Sequence, residues 1–187
     1  MVYNKSECIK CRKITYKFET YNIFELDILG VYNKMKNNNI TLKECLQYIK
    51  IPKIQNLFCQ NCKEIIQTIY TSAIYCLADI VIFSLNRGDL EKDNLISIPF
   101  IIEKEIDLTC FVEIKNSSMI YELTGVVSII KEDNNFIFVY FCKSPIDKEW
   151  YFCKDKQVEE IDLKNILSLN NENGNYIPCI LGYKIKN

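Results

Sequence analysis

Two Cys-x-x-Cys pairs constrain this chain more than any other feature of its sequence. Cys8 and Cys11 form the first pair and Cys59 and Cys62 the second, with 47 residues between the pairs. At this spacing the four thiolates can converge on one tetrahedral ion and complete a closed, structural zinc site. The alternative remains open that such pairs arise by chance among ten cysteines. In that case they are ordinary buried thiols.

The complete absence of histidine limits the chemistry of the chain. It excludes every mechanism that takes an imidazole from this polypeptide, including a Ser-His or Cys-His pair and a His-ligated catalytic zinc. A net charge of −1 argues against a broad phosphate-binding surface, so we expect no nucleic-acid partner. No apolar run approaches the roughly 20 residues of a membrane span, and no signal peptide is recognisable. We therefore expect an intracellular protein, in the cytoplasm or nucleus, with reduced cysteines and no membrane partner.

The hydrophobic pattern predicts an α+β protein in which β-strands dominate. Thr15–Asp27 alternates apolar and polar residues, as a half-buried strand does. Thr41 and Glu44 form the sequence pattern of a capping box at the start of a short helix. Asp79–Asn86 is a continuous apolar run, which favours a central strand covered on both faces.

A hairpin and the chain's last elements complete the prediction. Tyr121–Ile130 and Asn135–Cys142 are predicted to pair across a polar loop. A short helix is predicted over Asp162–Leu169 and a last strand over Tyr176–Ile185. The six cysteines outside the two pairs are interleaved mostly with apolar residues and are expected to be buried small hydrophobes.

Several motifs, in this order, resemble ubiquitin-specific proteases (peptidase C19, the ubiquitin carboxyl-terminal hydrolases). They are TLKECL at Thr41–Leu46 before the second cysteine pair, YELTGVV at Tyr121–Val127, and CKSPIDKEWY at Cys142–Tyr151. The resemblance covers nearly the whole chain. It implies a papain-like cysteine protease palm sheet with zinc-binding β fingers, and a missing thumb. Residues 1–70 would be the fingers, with the four-cysteine zinc site, strands and one short helix. Residues 71–187 would be a mostly antiparallel palm, the two parts forming one partial catalytic-type domain.

The resemblance also implies where catalytic residues would stand, and the residues found there are unsuitable. The thumb, which supplies the nucleophilic cysteine in this family, is expected to be absent. The histidine of the family's palm motif falls on Ile137, and the acidic or amide residue that orients it falls on Lys154. An aliphatic side chain cannot accept the thiol proton, and an ammonium group would repel an imidazolium. No catalytic residue is therefore predicted.

The sequence thus favours an inactive relative of ubiquitin-specific proteases that binds ubiquitin or acts as a scaffold in a protein complex. One alternative is a fragment of a cysteine-type deubiquitinase whose activity needs a longer or different chain. Another is a structural subunit of a complex that does not involve ubiquitin. Zinc, in a structural role, is the expected cofactor.

Overall fold

Two large β-sheets and a few short helices make up the computed structural model, which describes residues 1–36, 39–114, 119–133, 135–169 and 176–186. In chain order the strands are β1 (Val2–Cys8), β2 (Ile14–Glu19), β3 (Ile23–Leu26), β4 (Ile40–Thr41), β5 (Lys53–Cys59), β6 (Glu64–Ile74), β7 (Ile80–Leu85), β8 (Gly88–Asp89), β9 (Asn94–Leu95), β10 (Phe100–Ile101), β11 (Glu105–Asp107), β12 (Ile120–Glu132), β13 (Asn135–Lys143), β14 (Trp150–Lys154), β15 (Gln157–Glu160) and β16 (Ile177–Ile185). The helices are α1 (Ile28–Met35), α2 (Leu42–Ile49) and α3 (Leu163–Leu167), with 3-10 turns at Leu90–Lys92 and Thr109–Phe111. Within the described part of the chain, no helix has the length and apolar character needed to cross a membrane.

The first sheet, which we call the finger sheet, has four antiparallel strands in the order β2-β1-β6-β5. Its central strands β1 and β6 pair along their full shared length, from Val2 opposite Ile74 to Cys8 opposite Thr68. Val2 and Ile74 also belong to the main hydrophobic core. The sheet is therefore anchored in the core at one end and carries the cysteine pairs at the other.

The second sheet, which we call the palm sheet, has eight strands, seven of them in the order β15-β14-β13-β12-β16-β7-β3, with β11 pairing beside β12. All neighbours are antiparallel except β3 and β7, which run parallel. Its largest fully buried side chains include Tyr121, Tyr183, Phe83 and Phe141. The mixed sheet with few helices confirms the α+β class.

Helix α2 begins with the predicted capping box. The Glu44 N–H donates to Thr41 Oγ1 at 3.2 Å, and the Thr41 N–H donates to Glu44 Oε2 at 2.7 Å. These bonds satisfy two backbone donors that the first helical turn leaves open. Leu42, Cys45 and Leu46 lie on one face of the helix and are buried in the core.

The prediction of one strand over Thr15–Asp27 is wrong. The segment forms β2 in the finger sheet and β3 in the palm sheet. Residues 20–22 between them belong to neither sheet, so the chain leaves one sheet and enters the other there. Both strands alternate in burial or side-chain type, and alternation alone cannot show which sheet a strand joins.

The apolar run Asp79–Asn86 forms β7, but the strand is not covered on both faces as predicted. Val81, Phe83 and Leu85 are buried, whereas Ile80 is 61% exposed. Apolar side chains on both faces of a strand therefore do not require that both faces be packed.

The sheet topology refines the predicted division at residue 70. Residues 23–49 lie between the two finger hairpins in sequence, yet β3 pairs with β7, and α1 and α2 contribute to the main core. The finger sheet is instead built from residues 2–19 and 53–74. The short helix placed with the fingers from the sequence packs in the palm core.

Candidate zinc site and candidate active-site face

Two tight turns with the same backbone geometry carry the four cysteines. In the first turn the Arg12 N–H donates to the carbonyl oxygen of Cys8 at 2.9 Å, and in the second the Lys63 N–H donates to that of Cys59 at 2.8 Å. Arg12 and Lys63 each follow the second cysteine of a pair, with φ of 59° and 60°. This left-handed conformation is uncommon outside glycine and suits a sharp reversal. Matching turns therefore close the β1–β2 and β5–β6 hairpins.

The structure brings all four predicted ligands together. The sulfur atoms of Cys8, Cys11, Cys59 and Cys62 all lie within 4.8 Å of one another. Between the two turns, the Sγ atoms of Cys8 and Cys62 are 3.9 Å apart and those of Cys11 and Cys59 are 3.6 Å apart. Four thiolates at about 2.3 Å from a tetrahedral zinc ion would be separated by roughly 3.8 Å. The cluster is thus compatible with a closed zinc site.

The electrostatics of the cluster also suit a bound cation. The Lys13 backbone N–H lowers the pKa of Cys11 to about 6, and the Cys62 N–H lowers the pKa of Cys59. In contrast, desolvation and the neighbouring thiols raise the pKa of Cys62 to about 12. Four crowded sulfur atoms cannot all ionise without a cation, and a metal ion removes this conflict because a coordinating thiol is deprotonated.

The other six cysteines differ from one another in exposure. Cys45 and Cys179 are buried, as predicted for small hydrophobes. The prediction is wrong for Cys110 and Cys142, which are exposed. Cys142 lies on β13 with its side chain on the outer face of the palm sheet, where alternation places every second residue.

Ile137 and Lys154, at which the sequence resemblance places the family's catalytic positions, lie on neighbouring strands and on the same face of the palm sheet. Tyr140 on β13 pairs with Cys153 on β14, so the next pair in this register places Lys154 opposite Val139. Ile137 is two residues from Val139 and therefore points to the same face. Its partly buried side chain packs against the main core. The structure thus places Ile137 and Lys154 on neighbouring strands and on one face of the palm sheet.

An ion pair occupies this face beside Ile137. Lys154 Nζ donates to Glu132 Oε1 at 2.6 Å and to Oε2 at 2.8 Å. These hydrogen bonds raise the pKa of Lys154. Glu132 is not part of a motif; the signal that locates it is the β12–β13 register, in which Glu132 pairs with Asn135 and Ile130 with Ile137. The arrangement offers neither a proton acceptor at Ile137 nor an unpaired anion beside it.

A cleft of about 400 Å³ lies on the same face, and its lining combines three aromatic rings with aliphatic and polar side chains. Phe141 and Phe152 are paired across β13 and β14, and Tyr176 packs against both, at ring-centre distances of 5.6 and 6.3 Å. Ile161 and Leu169, which flank α3, complete its apolar wall. Its volume lies in the range of ordinary ligand clefts. Tyr176 lies beyond the motifs, and its part in this cleft is visible only in three dimensions.

No family model matches the sequence. Among curated proteins, the chain is similar to ubiquitin carboxyl-terminal hydrolase 12 of Saccharomyces cerevisiae (strain ATCC 204508 / S288c). The two are 26% identical over 145 residues, which cover 71% of this chain and 11% of that protein.

Among solved structures, the whole chain superposes on part of a chain in the SAGA DUB module of Ubp8, Sgf11, Sus1 and Sgf73. The module bound to monoubiquitin gives a TM-score of 0.73 at 19% identity, with 100% of this chain and 40% of that chain covered. The module bound to ubiquitin aldehyde gives the same TM-score and identity, with 41% of that chain covered. This chain therefore spans less than half the length of the relatives it matches. Its fold is that of part of a chain of this module, and its sequence is similar to that of a ubiquitin carboxyl-terminal hydrolase, so the chain resembles ubiquitin-specific proteases in both fold and sequence.

Proposed function

We propose that this chain is a catalytically inactive ubiquitin-specific-protease-like protein that binds ubiquitin or serves as a scaffold in a protein complex. The observation that carries this proposal is the Lys154–Glu132 ion pair beside Ile137. A thiol protease of this family would need an imidazole at the position of Ile137 and an anionic or polar support at the position of Lys154. Since the chain contains no histidine, no other part of it supplies that base.

Ubiquitin is the partner that the comparisons favour. Two structurally similar assemblies contain monoubiquitin or ubiquitin aldehyde, and both also contain Sgf11, Sus1 and Sgf73. A fold that has lost catalysis can keep a binding surface, because binding and proton transfer use different groups. The cleft at Phe141, Phe152 and Tyr176 offers a site on the palm for an extended peptide segment.

The proposal includes a structural zinc ion held by Cys8, Cys11, Cys59 and Cys62, and an intracellular setting in the cytoplasm or nucleus. A bound zinc ion would join the two finger hairpins, whose cysteines lie 47 residues apart in sequence. In this role the metal contributes folding free energy and has no open position for substrate. A reducing compartment keeps such thiolates available.

Two assays with the purified chain test the proposal. A fluorogenic substrate that carries a reporter on the ubiquitin C-terminus should show no turnover above buffer, while an active deubiquitinase cleaves it in parallel. Turnover by this chain alone would refute inactivity. Titration with ubiquitin should give a saturable isotherm; no saturation at sub-millimolar concentrations would remove ubiquitin and leave the scaffold role.

The alternative enzymatic role is that of a fragment of a longer deubiquitinase. Its support is that the chain spans 11% of one relative and 40% of another. Ile137 and Lys154 weigh against it, because both belong to the part of the fold that is present. Adding a separately expressed thumb segment from a relative should not produce turnover, and turnover on addition would favour this alternative.

A further inference from the structure

One face of the finger sheet carries six exposed apolar side chains, which we call the apolar finger face: Ile14, Tyr16, Phe18, Ile54, Phe58 and Ile65. The strand register places them together. Ile14 pairs with Glu7, Glu7 with Ile69, and Ile69 with Ile54, so this row of side chains points to a single face. The other members follow at two-residue intervals or as the pair of Phe58 and Ile65. Each of the six is between 43% and 70% exposed.

The opposite face of the same sheet has a different character. There Asn4 Nδ2 donates to Glu19 Oε2 at 2.6 Å, and Ser72 Oγ donates to Asn4 Oδ1 at 2.7 Å. Exposed polar residues, such as Thr15 and Gln55, also point to that face. A sheet usually buries its apolar face and exposes its polar one. Here the apolar side chains of the first face are open to solvent as well.

The size of the apolar finger face suits a protein interface. At roughly 100 Å² for each half-exposed side chain, the six residues offer about 600 Å² of apolar surface. This is at the upper end of the largest patch on a typical monomer. A standard interface buries about 800 Å² on each partner, which the face and its polar margin would reach.

The charges within the face favour a second copy of the same surface over an acidic or basic partner. Lys5 and Glu7 lie between its two apolar sides and form an ion pair at 3.8 Å. The central strand of the face therefore contributes one charge of each sign, and Arg12, on the turn at the end of this strand, also pairs with Glu7 at 3.7 Å. In a two-fold symmetric pairing, Lys5 of one copy can face Glu7 of the other, because the same patch meets itself in reverse.

We infer that the apolar finger face is the surface through which two copies of this chain associate, sheet against sheet. Two sheets packed face to face are separated by about 10 Å, which allows the aromatic and isoleucine side chains to interdigitate. This inference does not depend on ubiquitin binding or on loss of catalysis. It concerns a face that carries neither the zinc ligands nor Ile137 and Lys154.

Sedimentation velocity over a dilution series tests the inference, and the finger sheet offers a matched pair of variants. Tyr16→Glu with Ile54→Glu places two carboxylates on the apolar face, and Thr15→Glu with Gln55→Glu places two on the opposite face. The wild-type chain and the Thr15/Gln55 variant should form dimers. The Tyr16/Ile54 variant should dissociate at least about thirtyfold more readily. A wild-type monomer at every concentration, or equal weakening in both variants, would overturn the inference.

Hydroxyl-radical footprinting of the wild-type chain gives an answer that does not depend on whether the variants fold. Oxidation of Tyr16, Phe18 and Phe58 should fall as the concentration rises, while that of Tyr32 on α1 stays constant. Unchanged oxidation of the three rings would contradict the inference. So would protection that appears only when ubiquitin is added to a monomeric chain, since the face would then bind ubiquitin.

Discussion

Lys154 Nζ lies 2.6 Å from Glu132 Oε1, so a single ion pair connects β14 to β12 across the intervening strand β13. Ile137 on β13 lies beside this connection. A carboxylate is thus available on this face, yet its charge is already matched by the neighbouring ammonium group. The Glu132 carboxylate is therefore not free to pair with another cation, and the motif positions alone do not reveal this.

The effect of these charges can be measured as the pKa of a single imidazole introduced beside them. Ile137→His introduces the only histidine of the chain. When Lys154→Asp is added, a cation beside the imidazole is replaced by an anion. The pKa of the introduced imidazole should then rise by about 1–2 units, because the anion stabilises the imidazolium. NMR titration of the single histidine provides the measurement.

Phe138→His supplies the control for that titration. Phe138 lies on the outer face of the same strand and is 45% exposed. Its substituted imidazole should show little response to Lys154→Asp. An equal response at both positions would mean that Ile137 and Lys154 do not share a face.

Removal of one of the four clustered cysteines should affect the finger sheet alone. Cys59→Ser is expected to abolish binding of a zinc ion and to unfold the strands β1, β2, β5 and β6 near the cysteines, because metal and folding are coupled there. The palm core should remain folded. Metal analysis and hydrogen exchange of the two sheets report these effects. Cys110→Ser, at an exposed cysteine, is the matched control, and one cooperative loss of both sheets would contradict an effect confined to the finger sheet.

Arg87 should tolerate no shorter cation. The residue is 4% exposed, and its guanidinium donates to the carbonyl oxygens of Pro178, Ile96 and Ile98 at 2.7, 3.2 and 2.6 Å. Burial lowers its pKa to about 10. Arg87→Lys cannot reach all three acceptors and should cost about 3 kcal/mol or more in urea unfolding. Arg12→Lys, on the exposed first turn, should change little, and similar losses for both would refute a special role for Arg87.

Two buried thiols should make the folded state sensitive to alkali. Burial raises the pKa of Cys45 to about 12 and that of Cys179 to about 11. Above about pH 8.5 the unfolded chain releases thiol protons that the folded chain retains. The free energy of unfolding should then fall by about 1.4 kcal/mol per pH unit for each thiol, until the folded-state pKa is reached.

Urea unfolding from pH 8 to pH 10 measures that slope. Cys45→Ala and Cys179→Ala together should reduce the slope even though they lower the starting stability. Cys110→Ala should leave it unchanged. A slope that is the same in all three proteins would show that neither thiol differs in pKa between the folded and unfolded states.

Local patterns predicted the elements whose partners lie nearby in sequence. The capping box at Thr41 and Glu44 satisfies its own backbone, and the hairpin of β12 and β13 needs only a short loop. The cysteine spacing also indicated a cluster, because each pair sits in a self-contained turn. These features depend on few residues and little tertiary context.

Features set by strand partners at long range could not be read from the same patterns. Nothing in Thr15–Asp27 indicates that its first half joins β1 while its second half joins β7. Asp27 caps helix α1, because its carboxylate accepts a hydrogen bond from the Gly30 N–H at 2.8 Å. It directly follows the last residue of β3, so the strand ends and the helix begins at this residue. Likewise, the Glu132–Lys154 pair requires the register of three strands.

The placement of β3, α1 and α2 between the two finger hairpins means that no single cut of the chain can release the whole finger sheet without also removing part of the palm. A fragment ending at residue 70 would expose Phe24, Leu26 and Val31, which the palm normally covers. The remainder would lack a parallel edge strand and two helices. The two sheets are interleaved along the polypeptide, so we expect that neither folds when it is expressed without the other.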